Sequence, residues 1–307
     1  MASILAWLAF VSLASAGLPL RRLWLAMRRT ALRSACAWVT VATGVWLAAA
    51  LAAAMEPRPG SWVAIGHLRL LAATCSLCPL IAVLGARWPG ARAWNLIVLS
   101  LLVIFALPVL QQWLLGRTLE RDRVGMDGPR SVFYWLVAAV GLANYLPTRF
   151  GLSAGVASLA LAMQTLAVGP WEVSPTLVSG LSAVAGLLVS AAAWLAFALR
   201  PKPLPAGPDA AWLRLRDGWG AVWALRVRDR WNAAAAHYGW PSRIEWSGFR
   251  DTTPLTEQRT GGVGPTPQSG PAQPTGHAPR ALNPAAEQHF RHLFDRFVDP
   301  DQWFRTN

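Results

Sequence analysis

Cys75 and Cys78, in the run Cys75-Ser76-Leu77-Cys78-Pro79, have the spacing of a redox dithiol. Residues three apart share one face of a helix, so the two thiols can meet. Dithiol chemistry in a membrane also needs a second exchanging pair, and Cys36 is the only other cysteine. A thiol in apolar surroundings keeps its proton and is a poor nucleophile. The expected role of Cys75 and Cys78 is therefore packing beside a proline kink, and thiol oxidoreduction is a second alternative.

Other side chains with chemistry to offer are few. His67 and Arg69 stand in the first third of an apolar run, where a cation can bind an anion or gate a path. The expected behaviour of Arg69 is to snorkel to the interface, because Leu70–Ala86 is about long enough to cross a bilayer alone. The hexapeptide Asn144-Tyr145-Leu146-Pro147-Thr148-Arg149 could contact an anion or a lipid headgroup. Its expected role is a helix stop followed by a basic anchor. His289 and His292 have a metal-compatible spacing but no third ligand, and are read as solvated. No apolar run contains Asp or Glu, which coupled carriers commonly place at the midplane. Phosphate-binding glycine loops, catalytic triads and zinc spacings are missing from the sequence. The expectation is no catalytic residue, no cofactor and no metal.

The elements that must position these residues are membrane helices. Apolar residues make up 54% of the 307-residue chain and charged ones 14%. The mean hydropathy is +0.34. Eighteen Trp point to interfacial belts, and three Cys cannot form a disulfide framework. A soluble globular enzyme and a disordered chain are both excluded. Seven runs approach the roughly 20 residues a spanning helix needs: Ile4–Leu20, Ala35–Met55, Trp62–Ala86, Ala93–Leu115, Ser131–Thr148, Phe150–Val168 and Thr176–Leu199. Trp24, Trp62, Trp88, Trp94, Trp113, Trp135 and Trp171 fall at run ends, whereas Trp7, Trp38 and Trp46 are expected between helices. Amide side chains such as Asn95, Gln111, Gln112 and Gln164 are expected to join helices.

Orientation follows from Lys and Arg in the short loops. Arg21, Arg22, Arg28, Arg29, Arg33, Arg87, Arg92, Arg149, Arg200 and Lys202 fall on one side. Arg58, Arg117, Arg121, Arg123 and Arg130 fall on the other. This predicts an outside N-terminus and a cytoplasmic C-terminus. Ala14-Ser15-Ala16 resembles a signal-peptide cleavage site, but no basic residue precedes the first run and cleavage would invert the charge rule. The first span is expected to be retained.

Residues 1–200 thus read as one transmembrane domain. Residues 201–250 follow as a cytoplasmic amphipathic segment rich in Trp and Arg, lying on the inner leaflet or folding as a small subdomain. Gly218 and Gly220 can break its helix. Residues 251–283 are rich in Pro and Gly, and are expected to be disordered. Residues 284–307 form a terminal amphipathic helix capped by Asn283, with Phe290, Leu293, Phe294 and Phe297 on one stripe. The helix is near neutral, so the stripe is expected to dock on a protein partner and not on lipid. The net charge of +13 belongs mostly to the span region, which argues against nucleic-acid binding.

The stretch Cys78–Arg87, the Asn144–Arg149 hexapeptide and the tail motifs Arg230-Trp231-Asn232, Trp240-Pro241 and Trp246-Ser247-Gly248-Phe249 together resemble a bacterial family of multi-pass inner-membrane proteins with no known activity. The resemblance implies an all-α membrane protein and supplies no site residue. The expected fold is a bundle of about seven transmembrane helices with a partly disordered cytoplasmic tail. The expected function is a non-catalytic envelope scaffold or assembly component, with a small-solute facilitator as the first alternative.

Overall fold

The computed structural model of the chain describes residues 2–55, 61–86, 92–115, 126–200, 207–251 and 282–297. Arg58, Arg87, Trp88, Arg117, Arg121, Arg123, Lys202, the linker residues 252–281 and everything after Phe297 lie outside the described residues.

The apolar runs form eight helices: α1 (Ala2–Ser15), α2 (Gly17–Met27), α3 (Arg33–Ala54), α4 (Ser61–Leu84), α5 (Arg92–Leu115), α6 (Gly128–Tyr145), α7 (Gly151–Val168) and α8 (Pro175–Ala198). Six stretches are long and apolar enough to cross a membrane. They are Ser3–Met27 (α1 with α2), Arg33–Ala54, Val63–Leu84, Ala93–Gln111, Gly151–Val168 and Pro175–Ala198. The expected count of seven thus holds for six. The exception is α6, which has Arg130 in its first turn and Asn144 and Tyr145 in its last. These polar ends leave α6 less apolar than α7, which has the same length of 18 residues.

Nevertheless α6 runs antiparallel to α7 between the same two ends. Met126 N–H donates to the Val168 carbonyl at one end (2.8 Å), and α6 and α7 join through Leu146–Phe150 at the other. Helix interiors use small residues, as α3 buries Ala35, Ala42 and Ala49. The outward faces carry Leu96, Ile104, Val132, Leu136 and Leu152. This inverted pattern suits lipid, where close packing and not hydrophobicity holds helices together. Trp46 is buried and donates to Ser76 Oγ (2.9 Å), as its depth suggested. Trp7 is 46% exposed, so it faces outward and does not pack between helices. The first run is built into the bundle: Leu13 is fully buried and the Ser12 carbonyl accepts from Ser190 Oγ of α8 (2.7 Å).

The tail is a folded subdomain. It contains α9 (Pro208–Trp219), α10 (Ala221–Tyr238), a hairpin of β1 (Ser242–Glu245) and β2 (Gly248–Asp251), and α11 (Pro284–Phe294). The hairpin corrects the all-α expectation. Its register sets Ile244 opposite Phe249, and both side chains are buried. The Asn232 amide of α10 clamps β1 by bonding both the N–H and the carbonyl of Ile244 (2.8 and 3.0 Å). Trp231 sits at the centre, with Trp240, Phe249 and Phe290 at 5.3, 5.3 and 5.6 Å between ring centroids.

Helix α11 starts as expected, with the Asn283 side chain accepting from the Ala285 and Ala286 N–H groups. Its apolar stripe is largely covered within the chain itself. Phe290, Phe294 and Phe297 are buried within this chain, and Phe297 packs on Trp219 and Trp223 at 5.7 and 5.5 Å. The Ala31 N–H closes the contact by donating to the Phe297 carbonyl (2.9 Å). The helix has a ready apolar surface a short distance away in its own tail, which satisfies the burial that a partner would otherwise supply.

His289 of α11 lies against the Trp240 ring, 5.5 Å between centroids. Burial, and then the charge of His292, hold its pKa below the ordinary histidine value of 6.5. The folded tail therefore favours neutral His289, and the unfolded tail takes up the proton first as pH falls. Docking of α11 is expected to be unaffected above pH 6.5 and to weaken below it. Hydrogen exchange of the α11 amides at pH 7.5 and 5.5 measures this, with faster exchange in acid after correction for intrinsic rates. His289→Gln should flatten the difference.

Candidate functional site

Residues expected to end a helix turn out to hold the tail against the bundle. Asn144, in the last turn of α6, is 3% exposed. Its Nδ2 donates to the Trp219 carbonyl (3.2 Å) and its Oδ1 accepts from the Val222 N–H (2.9 Å). Both backbone groups lie where α9 gives way to α10, so one amide satisfies the end of one helix and the start of the next. Tyr145 OH donates to the Gly218 carbonyl beside it (3.0 Å). Arg149 pairs through Nε with Asp217, which Arg216 also holds (2.9 Å). Trp219 and Trp223 reach upward, donating to the Ala86 and Val83 carbonyls at the end of α4 (3.2 and 3.1 Å). The Val83 carbonyl also accepts from the Ala86 N–H (3.1 Å), so the Trp223 indole is its second donor at this helix end.

Gly220 makes this junction possible. It has φ +79°, and an added Cβ would collide with the Asn144 side chain. Gly220→Ala is expected to lose the docked tail: a non-glycine residue pays about 1–3 kcal/mol for the left-handed backbone before the collision is counted. Limited proteolysis of the full-length variant in detergent should cut the tail at low protease while leaving the bundle intact. A wild-type cleavage pattern would show that the junction is looser than described.

At the opposite end, away from the tail, Arg69 enters the bundle. It is 7% exposed, and its guanidinium donates to Ser179 Oγ of α8 (3.1 Å). The Arg69 guanidinium is thus covered by α8 and bonded to Ser179 in its second turn. Gln164 of α7, 1% exposed, donates its amide to the Arg69 carbonyl (2.9 Å). No carboxylate pairs with Arg69 among the described residues. His67 precedes it by two positions, which places the two side chains about 200° apart on α4. The structure does not bring them together.

Cys75 and Cys78 are buried in α4, with Cys78 Sγ against the Thr74 carbonyl (3.8 Å) and Pro79 next in the helix. Cys36 is buried at the start of α3. None of the three thiols is open to an exchange partner. Among the described residues no three His, Cys, Asp or Glu side chains form a metal-sized group.

No family model, curated protein or solved structure matches this chain. Its functional residues must therefore be read from its own geometry. Of the candidates, Asn144 and Arg149 belong to the tail junction, Arg69 to the opposite end, and Cys75 and Cys78 to the packed interior. Sequence reasoning missed Asp217, Trp219 and Trp223 as docking groups. Their signal was an acid within an Arg-rich helix and two indoles close to Gly218 and Gly220, a pattern equally compatible with a helix lying on lipid.

Proposed function

We propose that this chain is a non-catalytic scaffold of a bacterial inner membrane that holds a small folded domain rigidly at the cytoplasmic face. In this reading α6 is a seventh span, the N-terminus is outside, and the family resemblance of the Asn144–Arg149 and Trp-rich tail motifs stands. The Lys/Arg asymmetry of the loops supports the orientation.

The observation that carries the reading is one hydrophobic core shared by bundle and tail. It continues from Leu70, Leu77 and Ile81 of α4 through Trp219 and Trp223 to Phe290 and Phe294. Such a core fixes the tail to the membrane domain, which a platform for other proteins needs. Proteoliposomes bearing the full chain are expected to take up anions, cations and neutral solutes no faster than protein-free vesicles. Saturable uptake of any of them would overturn the scaffold in favour of a facilitator.

A further inference from the structure

Arg22 of α2 and Arg200, two residues beyond the end of α8, converge on one ring. Their guanidinium carbons stand 5.0 and 4.2 Å from the centroid of Phe197, so the two charges lie no further apart than those distances combined. Both residues are exposed. Desolvation, and after it the charge of Arg22, holds the Arg200 pKa below its ordinary value. Neither arginine has a carboxylate partner among the described residues. Residues 1–55 hold no Asp or Glu, nor do residues 173–208, so α2 and the helices α1, α3 and α8 packed on it offer none. The open carbonyls at the end of α8 supply only about half a negative charge, too little for two guanidiniums.

The surroundings say what kind of anion completes the pair. Leu18, Arg22 and Leu25 are spaced i, i+4 and i+7 and share one face of α2. The two leucines are 48% and 58% exposed, so the charge sits between apolar side chains that nothing in the chain covers. On α8, Trp194 donates to Ser15 Oγ (3.0 Å) and meets Phe197 edge-on at 5.6 Å between ring centroids. An indole, a phenyl ring and then two guanidiniums, in that order along the helices, is the layering of a membrane interface: rings toward the acyl chains, guanidiniums at the phosphates. A soluble anion would meet the charges and leave Leu18 and Leu25 bare. A second copy of this chain packed here about a two-fold axis would set arginine against arginine. We propose that the corner between α2 and the end of α8 holds an anionic phospholipid, its phosphate bound by Arg22 and Arg200 and its acyl chains along Leu18 and Leu25. The site rests on the membrane location of these helices and not on the scaffold reading.

The test uses the full chain in detergent, titrated with phosphatidylglycerol or with zwitterionic phosphatidylcholine of the same acyl chains. Native mass spectrometry reads the affinity of the first bound lipid. The wild type should bind phosphatidylglycerol about 10- to 30-fold more tightly, the worth of two arginines beside an anionic headgroup. Arg22→Gln combined with Arg200→Gln should abolish that preference and leave phosphatidylcholine binding unchanged. Arg200→Gln alone should weaken it about 5-fold, and decides the matter if the double variant does not fold. Arg28→Gln combined with Arg29→Gln removes the same charge from exposed residues just beyond α2. That control should keep the preference within about 3-fold, because solvent screens charges outside the site. The proposal fails if the wild type shows no preference or if the folded Arg22 and Arg200 variants retain it. It fails equally if the control loses as much, since the arginines then act as a diffuse belt. A wild-type dimer that the Arg22 and Arg200 substitutions dissolve would assign the corner to a second copy and overturn the lipid.

Discussion

Trp231→Ala is expected to unfold the tail subdomain while the membrane helices stay intact. Trp231 is fully buried, its ring meets Trp240, Phe249 and Phe290, and its Nε1 donates to the Ser242 carbonyl (3.3 Å). Removing a buried Trp costs about 3–5 kcal/mol, from lost transfer energy and the cavity left behind. A small subdomain has little stability to spare, so the cost should be decisive. The effect should reach α11, because Phe290 loses one of its ring neighbours and α10 and the hairpin lose their common contact. Thermal unfolding of the full chain in detergent should show a separate low-temperature transition in the variant. Hydrogen exchange should localise it to residues 208–251 and 282–297. A single transition at the wild-type temperature would mean that Trp231 is not the centre of the subdomain.

Asp217→Ala should loosen the tail from the bundle without unfolding either part. The Asp217 side chain is 6% exposed and lies between Arg149 of the bundle and Arg216 of its own helix. Removing the acid leaves two guanidiniums facing each other without a counter-charge. Breaking a buried pair in this way costs roughly 3–5 kcal/mol. The partial exposure of Arg149, 25% for its side chain, puts the expected loss at the lower end. Arg149→Ala should cost less, because Asp217 keeps Arg216. The double variant should be milder than the sum of the two, which a double-mutant cycle reads directly. The observable is the rate of crosslinking between single cysteines placed on α6 and α10 in a cysteine-free background. Unchanged crosslinking in Asp217→Ala would show that Asn144, Trp219 and Trp223 suffice to hold the junction.

Both results bear on how much of the molecule its sequence announces. Hydropathy located the apolar helices to within about three residues, except that the first continues past Leu20 to Met27 as a second helix, because a spanning helix satisfies its own backbone and must be apolar along its length. That signal is local and needs no knowledge of neighbours. The same holds for the Asn283 cap, the Pro284 start and the break between α9 and α10, which depend on residues adjacent in the chain. It fails for α6, whose polar ends belong to junctions and not to lipid.

What only the tertiary structure decided is which distant groups meet. Asn144 and Trp219 are 75 positions apart, and Trp223 and Val83 are 140 apart. No periodicity within either segment encodes those pairings. An arginine in an apolar run gives no sign that Ser179, 110 positions away, will accept from its guanidinium. A stripe of Phe on a terminal helix does not announce that Trp231 meets Phe290 or that Trp219 and Trp223 meet Phe297. In each case the residue type fixes what partner is needed, since burial and hydrogen bonding are properties of the side chain. Which partner supplies it is set by the path of the chain, because a hydrophobic or polar surface accepts any complementary group that the fold brings within reach.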